Sequence, residues 1–248
     1  SFPTRRSSDL FMKTIGLLGG MSWESTTTYY QVINETIQQQ LGGLHSAKLL
    51  LYSVDFHEIE ICQTRGDWTR SAQILDTGIQ SLEKGGADFI VICTNTMHKI
   101  APLLQEKTTL PILHIAETTA AALKKDKIAK AALLGTKYTM EQNFYKDKLV
   151  ASGIEVLIPN EADRDMINHI IYDELCLGTI SASAKKEYLR VISALKAKGA
   201  QGVILGCTEI GLLIKQQDTA LPVFDTSILH AQAAAQAALA EGKAALPL

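Results

Sequence analysis

Residues 84–99, KGGADFIVICTNTMHK, lead from a glycine turn through an apolar run into a cysteine, two threonines and an asparagine. An apolar run of this length after glycine reads as a buried strand, and the carboxyl ends of such strands are where open parallel sheets bind ligands. The pattern returns at residues 198–213, KGAQGVILGCTEIGLL. Two more pairs recur in the same order: IGLLGGMSWESTTTYY at 15–30 with AALLGTKYTMEQNFY at 131–145, and TTLPILHI at 108–115 with TALPVFDT at 219–226. A spacing of more than 100 residues is too long for a solenoid unit and implies two related halves.

Aligning Gly86-Ala87 with Gly199-Ala200 sets Thr94 opposite Cys207, Asn95 opposite Thr208 and Cys93 opposite Gly206. Successive strand residues point to opposite faces, so Cys93 and Thr94 cannot aim the same way unless the strand has already ended. Two arrangements stay open: a local bulge turns Cys93 toward a ligand, or Thr94 holds that position.

Outward from these segments, strands alternate with helices. KTIGLLGG, AKLLLYSV, GADFIVICTNT and LPILHI read as strands. Helical spacing is expected after Ser22, over residues 69–84 and over 99–106, and again in the alanine-rich tail from His230. Repeated β-α units imply an α/β fold of mostly parallel sheets flanked by helices. The expected division is a first domain of residues 12–116 joined by 228–248, a second of 117–227, and an appended or disordered segment over 1–11.

Composition excludes other classes. The chain has 248 residues, 46% hydrophobic and 20% charged, with a formal net charge of -2, enough to bury a real core. No basic block argues for nucleic acid. No apolar run approaches the roughly 18 to 20 residues needed to span a bilayer, and no charged-then-apolar leader is expected. The four cysteines (Cys62, Cys93, Cys176, Cys207) form no C-x-x-C pair and the histidines no metal-ligand spacing. No metal is expected, and a reducing cytoplasm is the expected location.

IVICTNTMHK and VILGCTEIGLL, with GLLGGMS near the start and LLGT in the second half, resemble the signature segments of the aspartate/glutamate racemase family from Met12 onward. The resemblance implies two pseudosymmetric α/β domains with the active site in the cleft between them, no cofactor, an amino-acid substrate and a homodimer. It also implies two cysteines, one per domain, as acid and base on opposite faces of the substrate. Cys207 matches the second. At the first, this chain has one residue between Cys93 and Asn95 where the family pattern has none, so Thr94 competes with Cys93 for the catalytic position.

The chemistry asks for that arrangement in its own terms. Inverting an α-carbon removes a proton from one face and returns one to the other, so two groups must flank a planar carbanion. Asn95, Thr96 and Thr208 are donors of the right type for its carboxylate. Gly20, Met21 and Ser22, beside Gly19, form a strand-to-helix turn whose amides suit a carboxylate. Thr136 and Thr139 occupy the corresponding turn, where capping explains one of them equally well. Glu209 is read as tuning the thiol, receiving the substrate ammonium, or forming a rim salt bridge. His98 is expected at the surface or as a cap, His57 is left open, and Cys62 and Cys176 are expected to be inert. The expected function is racemisation of aspartate or glutamate. The alternatives are a decarboxylase or cis-trans isomerase of the same superfamily using Cys207 alone, and a non-catalytic amino-acid-binding protein.

Overall fold

The structure, a computed structural model, describes residues 11–240. Its strands are β1 (Ile15–Gly19), β2 (Leu49–Ser53), β3 (Phe89–Ile92), β4 (Ile112–Leu113), β5 (Lys130–Gly135), β6 (Glu155–Leu157), β7 (Gly202–Gly206) and β8 (Val223–Asp225). The helices are α1 (Trp23–Leu41), α2 (Phe56–Arg65), α3 (Trp68–Lys84), α4 (Ala101–Gln105), α5 (Ile115–Lys125), α6 (Lys137–Glu141), α7 (Asn143–Ala151), α8 (Glu161–Asp173), α9 (Ala182–Ala197), α10 (Ile210–Leu213) and α11 (Thr226–Leu239). They build two parallel four-stranded sheets of one plan, ordered β2-β1-β3-β4 and β6-β5-β7-β8. The segment over residues 1–11 and the end of the alanine-rich tail fall largely or wholly outside the described residues.

The central strands β3 and β7 are buried on both faces, as strands covered by helices on each side must be. Phe89 and Val91 pack toward α1 and α11, whereas Ile90 and Ile92 pack toward Leu75, Ile79 and Leu82 of α3. In the second half Val203 and Leu205 face Tyr188, Val191 and Leu195 of α9, and Ile204 faces Leu123, Tyr145 and Leu149 of α5 and α7.

Helix α11 returns to the first half, laying Ala231, Ala234, Ala235 and Ala238 against Tyr29, Ile33 and Ile37 of α1. Short alanine side chains let the helices approach closely. The helix starts at Thr226, earlier than expected, because the Asp225 side chain accepts hydrogen bonds from Ser227 N and Ile228 N. The helix expected over 99–106 is instead a 3-10 turn over Thr96–Ile100 followed by the short α4, whose first turn holds Pro102, a residue whose missing N–H is harmless only there. Strand β3 also stops sooner than its apolar-to-polar run suggested, at Ile92.

Candidate active site

The register of the two sheets relates the halves residue by residue. Leu18 pairs with Ile92 across β1 and β3, and Leu134 pairs with Leu205 across β5 and β7. Superposing Leu17-Leu18-Gly19 on Leu133-Leu134-Gly135 therefore matches Ile92 to Leu205, Cys93 to Gly206 and Thr94 to Cys207. Thr94 and Cys207 are 9% and 8% exposed, while Cys93 is 0% exposed. Cys93 continues the Phe89–Val91 stripe into the core beneath α1 and α11, and its Sγ lies 3.7 Å from Val91 O. Burial pushes its thiol upward, away from ionisation. At the matching place in the second half no side chain fits: a Cβ on Gly206 would lie 2.9 Å from both Leu133 Cδ1 and Leu134 O.

Glu209 is not a rim residue. It is buried, and its carboxylate accepts three hydrogen bonds: Ser22 Oγ donates to Oε1 at 2.6 Å, and Cys207 Sγ and Thr208 Oγ1 donate to Oε2 at 2.9 and 2.8 Å. No ion pair could form there without a buried cation, and the buried polar residues among those described include no lysine or arginine. Burial first, then the Glu209 charge, push the Cys207 thiol well above the usual cysteine range. Ser22 also caps α1, accepting from Ser25 N.

The remaining candidates have partners of their own. Asn95 Nδ2 donates to Thr226 Oγ1 at 2.9 Å, Thr226 Oγ1 donates to Leu205 O, and the buried Asn95 Oδ1 has no partner. Thr96 and Thr136 hydroxyls meet at 3.2 Å across the two halves. Thr136 caps α6 by accepting from Thr139 N, and Thr139 is fully buried behind it. Gly20 has φ +93°, and a Cβ there would sit 2.3 Å from Val54 O; its N–H donates to Thr26 Oγ1, so it is already engaged. The Met21 side chain lies in the core beside α3. Among the described residues no group of three or more His, Cys, Asp or Glu is arranged to hold a metal ion, and no helix is long and apolar enough to cross a membrane.

The Asp/Glu/Hydantoin racemase family model matches residues 18–234. The chain belongs to this family. A Yersinia pestis protein with a provisional Asp/Glu racemase assignment is 56% identical, with a TM-score of 0.86 over 92% of this chain and 100% of that one. An aspartate racemase homologue from Pyrococcus horikoshii OT3 is 34% identical, with a TM-score of 0.80 over 92% and 99% of the two chains. The broad specificity amino-acid racemase RacX of Bacillus subtilis (strain 168) is 25% identical over 236 residues, 91% of this chain and 98% of its own. The protein is thus an isomerase of the racemase class.

The racemase has a cleft whose lining residues sequence reasoning did not single out. A cleft of ≈ 330 Å³ between the halves is lined by Glu60 and Gln63 of α2 and by Lys137, Tyr138 and Tyr172 from the second half. Tyr138 Oη donates to Gln63 O at 3.0 Å and Tyr172 Oη to Gln63 Oε1 at 3.4 Å, while Lys137 is ion-paired with Asp165. Thr226 was legible in principle, since TALPVFDT matches TTLPILHI and sets Thr226 against Ile115. His98 is buried, contrary to its expected surface place, because its ring is enclosed by His114 and His230 at centroid distances of 4.6 and 5.7 Å. His57 lies in the first turn of α2; Cys62 is buried in the same helix, and Cys176 sits in a 3-10 turn against the second core.

Proposed function

We propose that this chain is a cofactor-independent racemase of aspartate or glutamate in which Cys207 and Thr94 transfer protons on opposite faces of the α-carbon. The observation that carries the reading is the register: two equivalent strand ends present Thr94 and Cys207, each slightly exposed, with Asn95, Thr96, Thr208 and Glu209 beside them. The acidic substrate rests on the family and on the aspartate racemase homologue.

An α-carbon is a very weak acid, and a thiol raised by burial and by Glu209 yields, once ionised, a stronger base than an exposed cysteine does. Glu209 already accepts the S–H bond and so is placed to take that proton. A substrate ammonium entering beside Glu209 and the unpartnered Asn95 Oδ1 would favour the thiolate by charge. The Ser22–Glu209 and Thr96–Thr136 bonds join the halves directly across the site, so substrate entry must separate them.

The test is incubation of each enantiomer of aspartate and glutamate with the protein in deuterium oxide, followed by proton NMR and chiral chromatography. Loss of the α-proton signal with appearance of the opposite enantiomer is expected. Release of carbon dioxide would instead establish a decarboxylase, and tight binding with no exchange a binding protein. We further propose a cytoplasmic homodimer. The free thiols of all four cysteines suit a reducing compartment, and a monomer by sedimentation would overturn the dimer.

A further inference from the structure

We propose that His98 is a positioning residue for the first-half face of the reaction, holding the Thr94–Asn95 peptide in place from the start of the helix that leads into the second half. The inference rests on the reading of Thr94 as a proton-transferring group.

The hydrogen bonds of His98 define its tautomer. Nδ1 lies 2.7 Å from Thr94 O, a carbonyl that only accepts, so Nδ1 carries the proton and donates. Ile115 N donates to Nε2 at 3.2 Å, so Nε2 is bare. Burial keeps the ring neutral by pushing its pKa down to about 4, which preserves this one-donor, one-acceptor state at neutral pH. The ring has no room to turn. His114 and His230 flank it, and His230 is itself fixed between Tyr29 Oη and Leu113 O, each at 2.8 Å.

The peptide that His98 grips is the one that aims the site. Thr94 N donates to Ile92 O at 2.9 Å and His98 N donates to Asn95 O at 3.0 Å, so the Thr94–Asn95 peptide is fixed on both sides of the carbonyl that His98 holds. Freeing that carbonyl would let the Thr94 hydroxyl and the Asn95 amide swing together. Ile115 opens α5, the helix that packs into the second core, so the same imidazole ties this peptide to the second half.

Among the described residues no side chain grips the carbonyl of Cys207, which accepts instead from Ile210 N at 3.1 Å. Four residues beyond Thr94 stands His98; four beyond Cys207 stands Gly211, where a Cβ would lie 2.0 Å from Asp225 Oδ2. Asp225 fills that space as the counterpart of His114, each capping the helix that follows its strand. The device therefore belongs to the Thr94 face alone.

Two variants separate positioning from packing. In His98→Asn the amide nitrogen occupies the place of Nδ1 and keeps the donor to Thr94 O; His98→Gln reaches toward Ile115 N and loses that donor. Exchange of each enantiomer's α-proton in deuterium oxide is measured with KM and kcat, and folding is monitored by circular dichroism. His98→Gln should slow exchange of the enantiomer whose α-proton faces Thr94, and inversion with it, by about tenfold or more through kcat, the scale of a misplaced reacting group. Exchange on the Cys207 face should stay within about twofold, and His98→Asn should recover most of the loss. Equal slowing of both enantiomers, an effect confined to KM, or identical behaviour of the two variants would overturn the role. A wild-type protein that racemises while both folded variants match it removes His98 and leaves the function standing. A wild type that exchanges no amino acid overturns both.

Discussion

At the end of β7 the chain carries Gly206, Cys207 and Glu209; at the equivalent end of β3 it carries Cys93, Thr94 and Thr96. In the second half the thiol stands just past the strand end with a buried carboxylate accepting its hydrogen bond. In the first half the thiol has slipped one position back into an apolar core and a hydroxyl stands in its place. One backbone plan thus supports two chemical environments, and the cause is local: Gly206 has no room for a side chain, whereas the matching pocket under α1 and α11 accepts a cysteine. The support differs as well, an imidazole on the Thr94 side and a glycine–aspartate contact on the other. Two faces built so differently should transfer protons at different rates.

The largest effect expected is that of removing the better-equipped face. Cys207→Ser should lower racemisation by about a thousandfold or more, some 4 kcal/mol in barrier, with the fold intact. A folded variant keeping more than about a tenth of wild-type turnover, a deficit under roughly 1.4 kcal/mol, would take Cys207 out of the mechanism.

Next comes acid lability of the first-half seam. His98, His114 and His230 are held neutral by burial to about 4, 2 and 3, whereas unfolded each would titrate near 6.5. Below about pH 6.5 the unfolded chain therefore binds more protons, and stability falls as pH drops toward 4. From pH 6 to 5 the three together should remove about 3 kcal/mol. Asp225, the counterpart of His114, acts with the opposite sign, since burial raises its carboxyl and protonation favours the folded form. Hydrogen exchange at pH 5 should therefore rise first in β3, α1 and α11; a uniform rise, or one led by β7 and α9, would contradict this difference between the halves.

Glu209→Gln should cost about a hundredfold in turnover, because an amide cannot take the thiol proton and leaves one of its three donors facing another. The Cys207 thiol should meanwhile fall, since the Glu209 charge is gone, while burial, the larger cause, still holds it above the usual cysteine range. Alkylation of Cys207 against pH would then show a lower midpoint. An unchanged midpoint with full activity would separate Glu209 from the thiol. The smallest effect expected is that of Cys93→Ala: about 1 kcal/mol of stability in urea unfolding, from one lost buried atom, with turnover nearly unchanged. Loss of activity matching Cys207→Ser in a folded variant would return the catalytic role to Cys93.

The fold was legible because central parallel strands are continuous apolar runs, and FIVI and GVILG follow the same glycine turn. The internal repeat already set Thr94 against Cys207, and the pairing of β1 with β3 and of β5 with β7 reproduces that correspondence. The family was legible from the same segments. What stayed hidden depends on contacts between remote segments. From the sequence Glu209 reads as a partner of the thiol or as a rim residue, and the rim reading falls only when Ser22, 187 residues away, is brought against it. His98 looks like a cap until His114, the cap of α5, and His230 of α11 close over it. Helix α4 came out short because Pro102 limits where a helix can begin, a signal that was present and outweighed by apolar spacing.

The central claim, an asymmetric pair with Cys207 on one face and Thr94 on the other, is tested most directly by following both enantiomers of the substrate in deuterium oxide with wild-type protein and Thr94→Cys. Free enantiomers have equal energy, so catalytic efficiencies in the two directions must match, and asymmetry can surface only as exchange that outruns inversion. A hydroxyl is a far weaker acid than a thiol, so wild-type protein should exchange the enantiomer whose α-proton faces Cys207 about tenfold or more faster than it inverts it, with retention. The other enantiomer should exchange slowly, and Thr94→Cys should raise inversion by about tenfold or more. Equal exchange of both enantiomers at the rate of inversion, or a folded Thr94→Cys variant that inverts no faster, would contradict the account.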